Sequence, residues 1–214
     1  MNLFCHTPNI FRDWYNSIMQ IDIKSLPVFY INMDRHVDKN TDMIQLGKKL
    51  KLQDYKRTTG VDMPGHPMAG CATSHYNILE SLTKPSIILE DDCVVVNKNT
   101  LIEVPDDADA VYLGLSRWGY LDSVSKTNNF LYKEHRDYRG IYKVDGMLAT
   151  HAILYISQEY IDISTRVAKW HSENDKHIDQ GLALIQKYFN VYALENPIFY
   201  QNSNKAATNI RLKG

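Results

Sequence analysis

Apolar residues along the chain follow two alternating rhythms. Short runs at 26–31 (LPVFYI), 86–89 (SIIL), 110–113 (AVYL), 151–156 (HAILYI) and 191–193 (VYA) read as buried strands, each brief and bounded by polar or breaking residues. Between them lie stripes at helical spacing: Met43, Leu46 and Leu50; a helix over about 71–82; Tyr160, Ile163, Val167 and Trp170; and Ile178, Leu182, Ile185 and Phe189. Residues 38–41 offer caps for the first of these helices. Strands alternating with helices predict an α/β fold, with a mainly parallel central sheet flanked by helices on both faces. Trp14, Ile18 and Ile21 share helical spacing, so a short amphipathic helix is expected near the start of the chain. Residues 55–62 (YKRTTGVD) read as a connection, and 63–70 (MPGHPMAG) as a Pro/Gly loop opening onto the second helix. Residues 117–144 are polar and aromatic without helical period; segments 130–132 and 141–143 flank Gly140, which suits a hairpin. No repeat, linker or low-complexity run interrupts the pattern, so 1–214 reads as one domain.

Composition narrows the field. A chain of 214 residues carries a sizeable core, and its net charge of −1 offers no electrostatic footprint for nucleic acid or an anionic membrane. No apolar run approaches the ~20 residues of a membrane span, and the amino terminus lacks the apolar segment of a signal peptide. Cys5, Cys71 and Cys93 show no metal-type spacing and suit a reducing compartment, with Cys71 and Cys93 read as small core residues. The expectation is a soluble, cytoplasmic protein.

The chemistry concentrates around Glu90-Asp91-Asp92, three carboxylates at the end of the strand at 86–89. Alternation along an extended backbone places Glu90 and Asp92 on one face and Asp91 on the other. Three like charges repel unless something neutralises them. A hard divalent ion, Mn²⁺ or Mg²⁺, holding a diphosphate is one neutraliser; a solvated acidic turn is the plainer reading. Asn32, Asp34 and Arg35 follow the first strand at its carboxyl end, where α/β folds collect ligands. Asn32 can bond a base or ribose, and Arg35 or Arg57 can clamp a diphosphate, unless both arginines simply pair with Asp34 or Asp62. After Gly70, residues Thr73, Ser74 and His75 are expected in the first turn of a helix. That end favours phosphate, against the alternative of a cap and a buried histidine. His151 either lines a pocket or satisfies a core hydrogen bond. Trp118 and Tyr120 offer flat surfaces for an acceptor sugar. Asp179 opens the last long helix one residue off its apolar stripe, and Gln201 and Asn202 follow a late strand-like segment.

Several stretches taken together resemble a known family. VFYINMDR, RTTGVD, GCATSH, SIILEDD, VYLG, THAILYIS and NPIFYQ occur in an order similar to that of lipooligosaccharide galactosyltransferase-type glycosyltransferases (carbohydrate-active family 25, which includes collagen galactosyltransferases). The resemblance spans roughly 26–204, and the short chain also looks like the glycosyltransferase domain encoded by chlorella viruses. It implies a GT-A fold and transfer of a sugar from a nucleotide donor, here a UDP-hexose, to a glycan or glycoprotein, with Mn²⁺ (or Mg²⁺). A viral origin would place the protein in host cytoplasm. Glu90-Asp91-Asp92 resembles the Asp-x-Asp signature, with Glu90 in place of the first Asp. By that match Asp92 and Glu90 hold the metal, Asp91 lies near the ribose, Arg57 beside the nucleotide, and Asp179 near the acceptor as catalytic base. The base implies inversion of configuration, while the viral likeness leaves retention open. A nucleotidyltransferase would need a Gly-rich, Lys-bearing loop that VFYINMDRHVDKN lacks. A non-catalytic carbohydrate-binding domain is the other alternative.

Overall fold

A computed structural model describes residues 17–114, the backbone of 133–134, and residues 140–202. In chain order the elements are β1 (Ile18–Asp22), β2 (Pro27–Asn32), α1 (Val37–Leu50), β3 (Asp54–Thr59), α2 (Pro67–Leu79), β4 (Ser86–Glu90), β5 (Cys93–Val95) and β6 (Leu101–Pro105). There follow β7 (Ala110–Tyr112), β8 (Lys133–Glu134), β9 (Ile141–Lys143), β10 (Ala152–Tyr155), α3 (Gln158–Glu173), α4 (Ile178–Gln186), β11 (Val191–Leu194) and β12 (Phe199–Gln201). An eight-stranded sheet runs in the order β3-β2-β4-β10-β7-β11-β9-β8. β10 and β9 run against the other strands, so the sheet is mixed, with β3-β2-β4 as its parallel block. Two small ribbons, β1-β6 and β5-β12, complete the described structure.

Alternate residues of the central strands feed two cores. Ile87 and Leu89 of β4 join Met43, Leu46 and Leu50 of α1 on one face. Ile88, Ile153 and Tyr155 join Ile78 and Leu79 of α2, Tyr160 of α3 and Leu182 of α4 on the other. Strands buried on both faces explain the continuous apolar runs in the sequence. The fold is therefore α/β, as the hydrophobic pattern predicts.

Four local expectations are corrected. Ile18 and Ile21 lie on strand β1, not on a helix, because β6 offers Leu101–Pro105 as a partner edge; Trp14 lies outside the described residues. Residues 54–59 form β3, which pairs along β2 at the sheet edge and so needs no apolar run; Tyr55 stacks on Tyr30 at 4.8 Å. Helix α2 starts at Pro67, whose fixed φ suits a first helical position. Ser74 and His75 therefore sit in the body of the helix, about two turns past its first residue and away from the end expected to bind phosphate. Trp170 closes the expected α3 stripe but is 54% exposed, because the buried line of α3 runs through Tyr160, Ile161, Ser164, Ala168 and His171. The hairpin near Gly140 pairs β8 with β9; residues 130–132 lie outside the described part.

Candidate functional site

Parallel pairing of β3, β2 and β4 brings their carboxyl ends to one edge, with Asn32 opposite Thr59 and Ile31 opposite Glu90. β4 ends at Glu90, and Asp91-Asp92 turn the chain into β5. Three cavities meet at that turn. One of 420 Å³ is bordered by Met33, Arg35, Lys39, Asp62, Ser74 and Glu90. A second, of 130 Å³, is bordered by Cys71, Glu90, Thr150, His177, Asp179 and Gln201. The third, of 620 Å³, reaches Asp38, Lys39, Asp91, Asp92 and Asn202. Glu90 and Cys71 border the first two, while Lys39 and Asp91 border the first and third.

The three acids are held differently, as their alternation requires. Glu90 Oε1 accepts from the Thr150 hydroxyl at 2.6 Å and lies 3.1 Å from His75 Nε2, whose ring is fully buried. Burial would raise the Glu90 carboxyl, but His75, the Thr150 hydroxyl and nearby His151 outweigh it and hold the group below the ordinary carboxylate range. Asp91 faces the other way: Oδ2 accepts from Asn32 Nδ2 at 2.9 Å and Oδ1 from Lys39 Nζ at 2.8 Å. Asp92 Oδ2 accepts from Gln201 Nε2 at 2.8 Å. Burial first, then the Glu90 charge, push the Asp92 carboxyl up to about 6, with Gln201 and Lys39 opposing.

Helix α4 fixes the loop over 146–150 that supports Glu90. At its far end Gln186 Oε1 accepts from the N–H groups of Gly146 and Met147, while Nε2 donates to Met147 O and Tyr112 Oη. At its start Asp179 Oδ2 accepts from Ala149 N–H at 3.3 Å. Ala149 has φ of +82°, a left-handed conformation unusual for a side-chain-bearing residue. Thr150 then reaches Glu90. A continuous chain of bonds thus connects Asp179 to the acidic turn.

The sequence-predicted residues divide into those bordering the cavities and those that build the walls. Glu90, Asp91, Asp92, Arg35, Ser74 and Asp179 border them. Asn32 is 1% exposed and its amide is taken up by Asp91, His36 O and Arg57. Arg57 donates to Asn32 Oδ1, Asn32 O and Asp34 Oδ1. Arg35 pairs with Asp62 at the rim, both side chains about half exposed. Ser74 Oγ donates to Gly70 O and accepts from Val61 N–H, tying the β3–α2 loop to the helix. His151 is buried against Gly114, and burial lowers its pKa to about 4, so the ring is a neutral core group. Trp118 and Tyr120 lie outside the described residues. Cys93 is buried as expected, but Cys71 is exposed and borders two cavities. Lys39 lies outside the stretches that carry the family resemblance, and Thr150, the first residue of THAILYIS, drew no site role from the sequence. Only the pairing of strands and the 146–150 loop bring them to the acids.

The donor set can be tested against a hard divalent ion. Asp92 Oδ1 and Gln201 Oε1 are both buried without a hydrogen-bond partner among the described residues. Two proton-free oxygens in that state are costly by about 1–3 kcal/mol each unless something positive meets them. An oxygen-preferring cation fits that need. Cys71, His75 and Glu90 form a separate group whose ligand atoms lie within 4.8 Å of one another.

No protein-family model matches the chain, and no curated protein matches it. Among solved structures it is similar to the nucleoside-diphosphate-sugar pyrophosphorylase from Vibrio cholerae RC9, at 11% identity and a TM-score of 0.42, over 80% of this chain and 73% of that one. It is also similar to the glycosyltransferase GlyE of Streptococcus pneumoniae TIGR4, at 9% identity and a TM-score of 0.44, over 87% of this chain and 58% of that one.

Proposed function

We propose that this chain is a metal-dependent glycosyltransferase that moves a hexose from a nucleotide sugar, with UDP the expected nucleotide, to a hydroxyl of a glycan or glycoprotein. The observation that carries this reading is the pair of buried, unpartnered oxygens on Asp92 and Gln201, beside Glu90, where three cavities meet. Asp92, Gln201 and Glu90 would hold Mn²⁺ or Mg²⁺, with Asp91 kept on the opposite side by Asn32 and Lys39. When bound, the ion supplies neutralisation of the charge that builds on a departing diphosphate. Lys39, at the cavity wall, adds positive charge there. Arg35 is better placed than Arg57 to meet a phosphate, because its exposed pair with Asp62 is worth only ~0–1 kcal/mol and is easily exchanged. Asp179 takes the proton from the acceptor hydroxyl as that oxygen bonds the anomeric carbon and the bond to the diphosphate breaks. Asp179 and Glu90 border the same 130 Å³ cavity, which supports a base within reach of the metal-holding acids.

Thermal melting with UDP, GDP and CMP, each with and without Mn²⁺, tests this directly. A metal-dependent shift with UDP is expected; no metal-dependent shift with any of the three would reject it. Slow hydrolysis across a panel of UDP-sugars then identifies the donor. A sugar nucleotidyltransferase would instead join a nucleoside triphosphate to a sugar phosphate. The β2–α1 connection, Met33-Asp34-Arg35-His36, lacks the glycines that such phosphate loops use.

A further inference from the structure

Cys71 and His75 stand one turn apart on α2, so their side chains lie on the same helix face. That face meets the end of β4, and the sulfur, imidazole and carboxylate ligand atoms come within 4.8 Å of one another. His75 Nε2 and Glu90 Oε1 are 3.1 Å apart. Two ligands about 2.0–2.1 Å from a tetrahedral ion are separated by roughly 3.3 Å, so this pair already stands near ligand spacing. The Thr150 hydroxyl donates to the same Glu90 Oε1 at 2.6 Å and fixes the carboxylate's orientation. Cys71 is open to solvent through the cavities it borders, which gives an ion a route in and a free coordination position. From this geometry we propose that Cys71, His75 and Glu90 form a second metal site, selective for a thiophilic divalent ion such as Zn²⁺. Mn²⁺ and Mg²⁺ are hard ions that disfavour thiolate and take oxygen ligands, so the two sites differ in what they accept.

Binding releases the Cys71 thiol proton to solvent, forming the metal–sulfur bond. The proton on His75 Nε2 moves to Nδ1, so the ring stays neutral and Nε2 becomes the ligand. Glu90 would then be shared between the two sites, and Zn²⁺ would draw it from the acidic turn. Inhibition of transfer by Zn²⁺ rests on the function proposed above, whereas the site itself does not.

The test uses Co²⁺, whose bond to a thiolate gives a near-ultraviolet charge-transfer band independent of any activity. Titration of the intact chain should produce that band, saturating at one thiolate-bound ion per chain and bleached by Zn²⁺ at concentrations where the same amount of Mn²⁺ leaves it in place. Cys71→Ser, checked for folding by circular dichroism, should lose the band. Its Zn²⁺ affinity should fall by at least the ~10–100-fold that removing a residue supporting a ligand costs. In the unaltered chain Zn²⁺ should also protect Cys71 from alkylation. No thiolate band, a band that persists in Cys71→Ser, or alkylation of Cys71 undiminished by saturating Zn²⁺ would each overturn the site. A normal cobalt band with transfer activity absent would instead reject the glycosyltransferase reading and leave the site standing.

Discussion

Burial works to raise both Asp92 and Glu90, but their partners leave the two carboxyls shifted in opposite directions. Glu90 has the His75 imidazole and the Thr150 hydroxyl; Asp92 has one amide and an oxygen left without a partner. A carboxyl raised from 3.8 to about 6 contributes stability that is full below about pH 4 and is lost as pH rises through about 6. Glu90, depressed, acts in the other sense and loses its contribution on acidification below the usual carboxylate range. The difference between wild type and Asp92→Asn isolates the first effect. Without metal at neutral pH, Asp92→Asn should melt higher, by about 2–4 °C for each ~1 kcal/mol relieved in a domain of this size. The same variant should lose transfer and most Mn²⁺-dependent UDP binding. A melting temperature at or below wild type would show that the Asp92 charge is not strained in the empty site. At Asp179 the prediction concerns rate. Asn keeps an oxygen to accept from Ala149 N–H but cannot take a proton, so Asp179→Asn should bind UDP-sugar nearly normally and transfer about 10²–10⁴-fold more slowly. Near-normal transfer with a lowered melting temperature would reduce Asp179 to a favourable charge at a helix end.

At the scale of elements, α4 acts as a brace. Its two ends grip the 146–150 loop, and Gly181 lets it approach α3 so closely that an added Cβ would clash with the His171 ring and Val167. Helix α2 is braced similarly: Asp175, in the α3–α4 connection, accepts from Ala69 N–H at 2.9 Å and lies 3.0 Å from His66 Nδ1. Gln186→Leu tests the brace. It would leave the Gly146 and Met147 N–H groups buried without partners, at about 1–3 kcal/mol each. Denaturant unfolding should show that loss, and transfer should fall as well, since the loop carries Thr150 to Glu90. Stability lost with transfer unchanged would mean that the loop keeps its place without the glutamine.

For the whole molecule, the working edge lies at the carboxyl ends of β2 and β4, where the strand order β3-β2-β4 reverses. Switch points of this kind open a crevice between loops that leave the sheet on opposite faces. Here α1, after β2, packs on one face of the sheet, and α2, before β4, packs on the other. A donor and a metal binding together there should stabilise the entire fold. At a nucleotide concentration 100-fold above Kd the gain is about 2.7 kcal/mol, read as a rise in melting temperature with UDP and Mn²⁺ together. A rise with Mn²⁺ alone, unaffected by UDP, would point to a metal site without a nucleotide.

Hydrophobic periodicity by itself determined most of the core. The strands at 86–90, 110–112, 152–155 and 191–194, and the helices α1, α3 and α4, fall where apolar spacing placed them, because buried strands and amphipathic helices must show their period. It missed β1 and β3, whose place at ribbon and sheet edges requires pairing rather than apolar content. The acidic turn and Asp179 were legible as residue types at strand and helix ends. What surrounds them was decided by tertiary structure alone. Asn32 and Arg57 have the chemistry of ligand-binding residues, and long-range bonds tie them to each other and to Asp91 and Asp34. Cys71 and Thr150 lie in stretches of the family resemblance but drew no site role there, Lys39 lies in none of them, and strand register with the 146–150 loop brings all three to the acids. Local sequence specifies which face a residue takes on its own element; only the packing of elements specifies what that face meets.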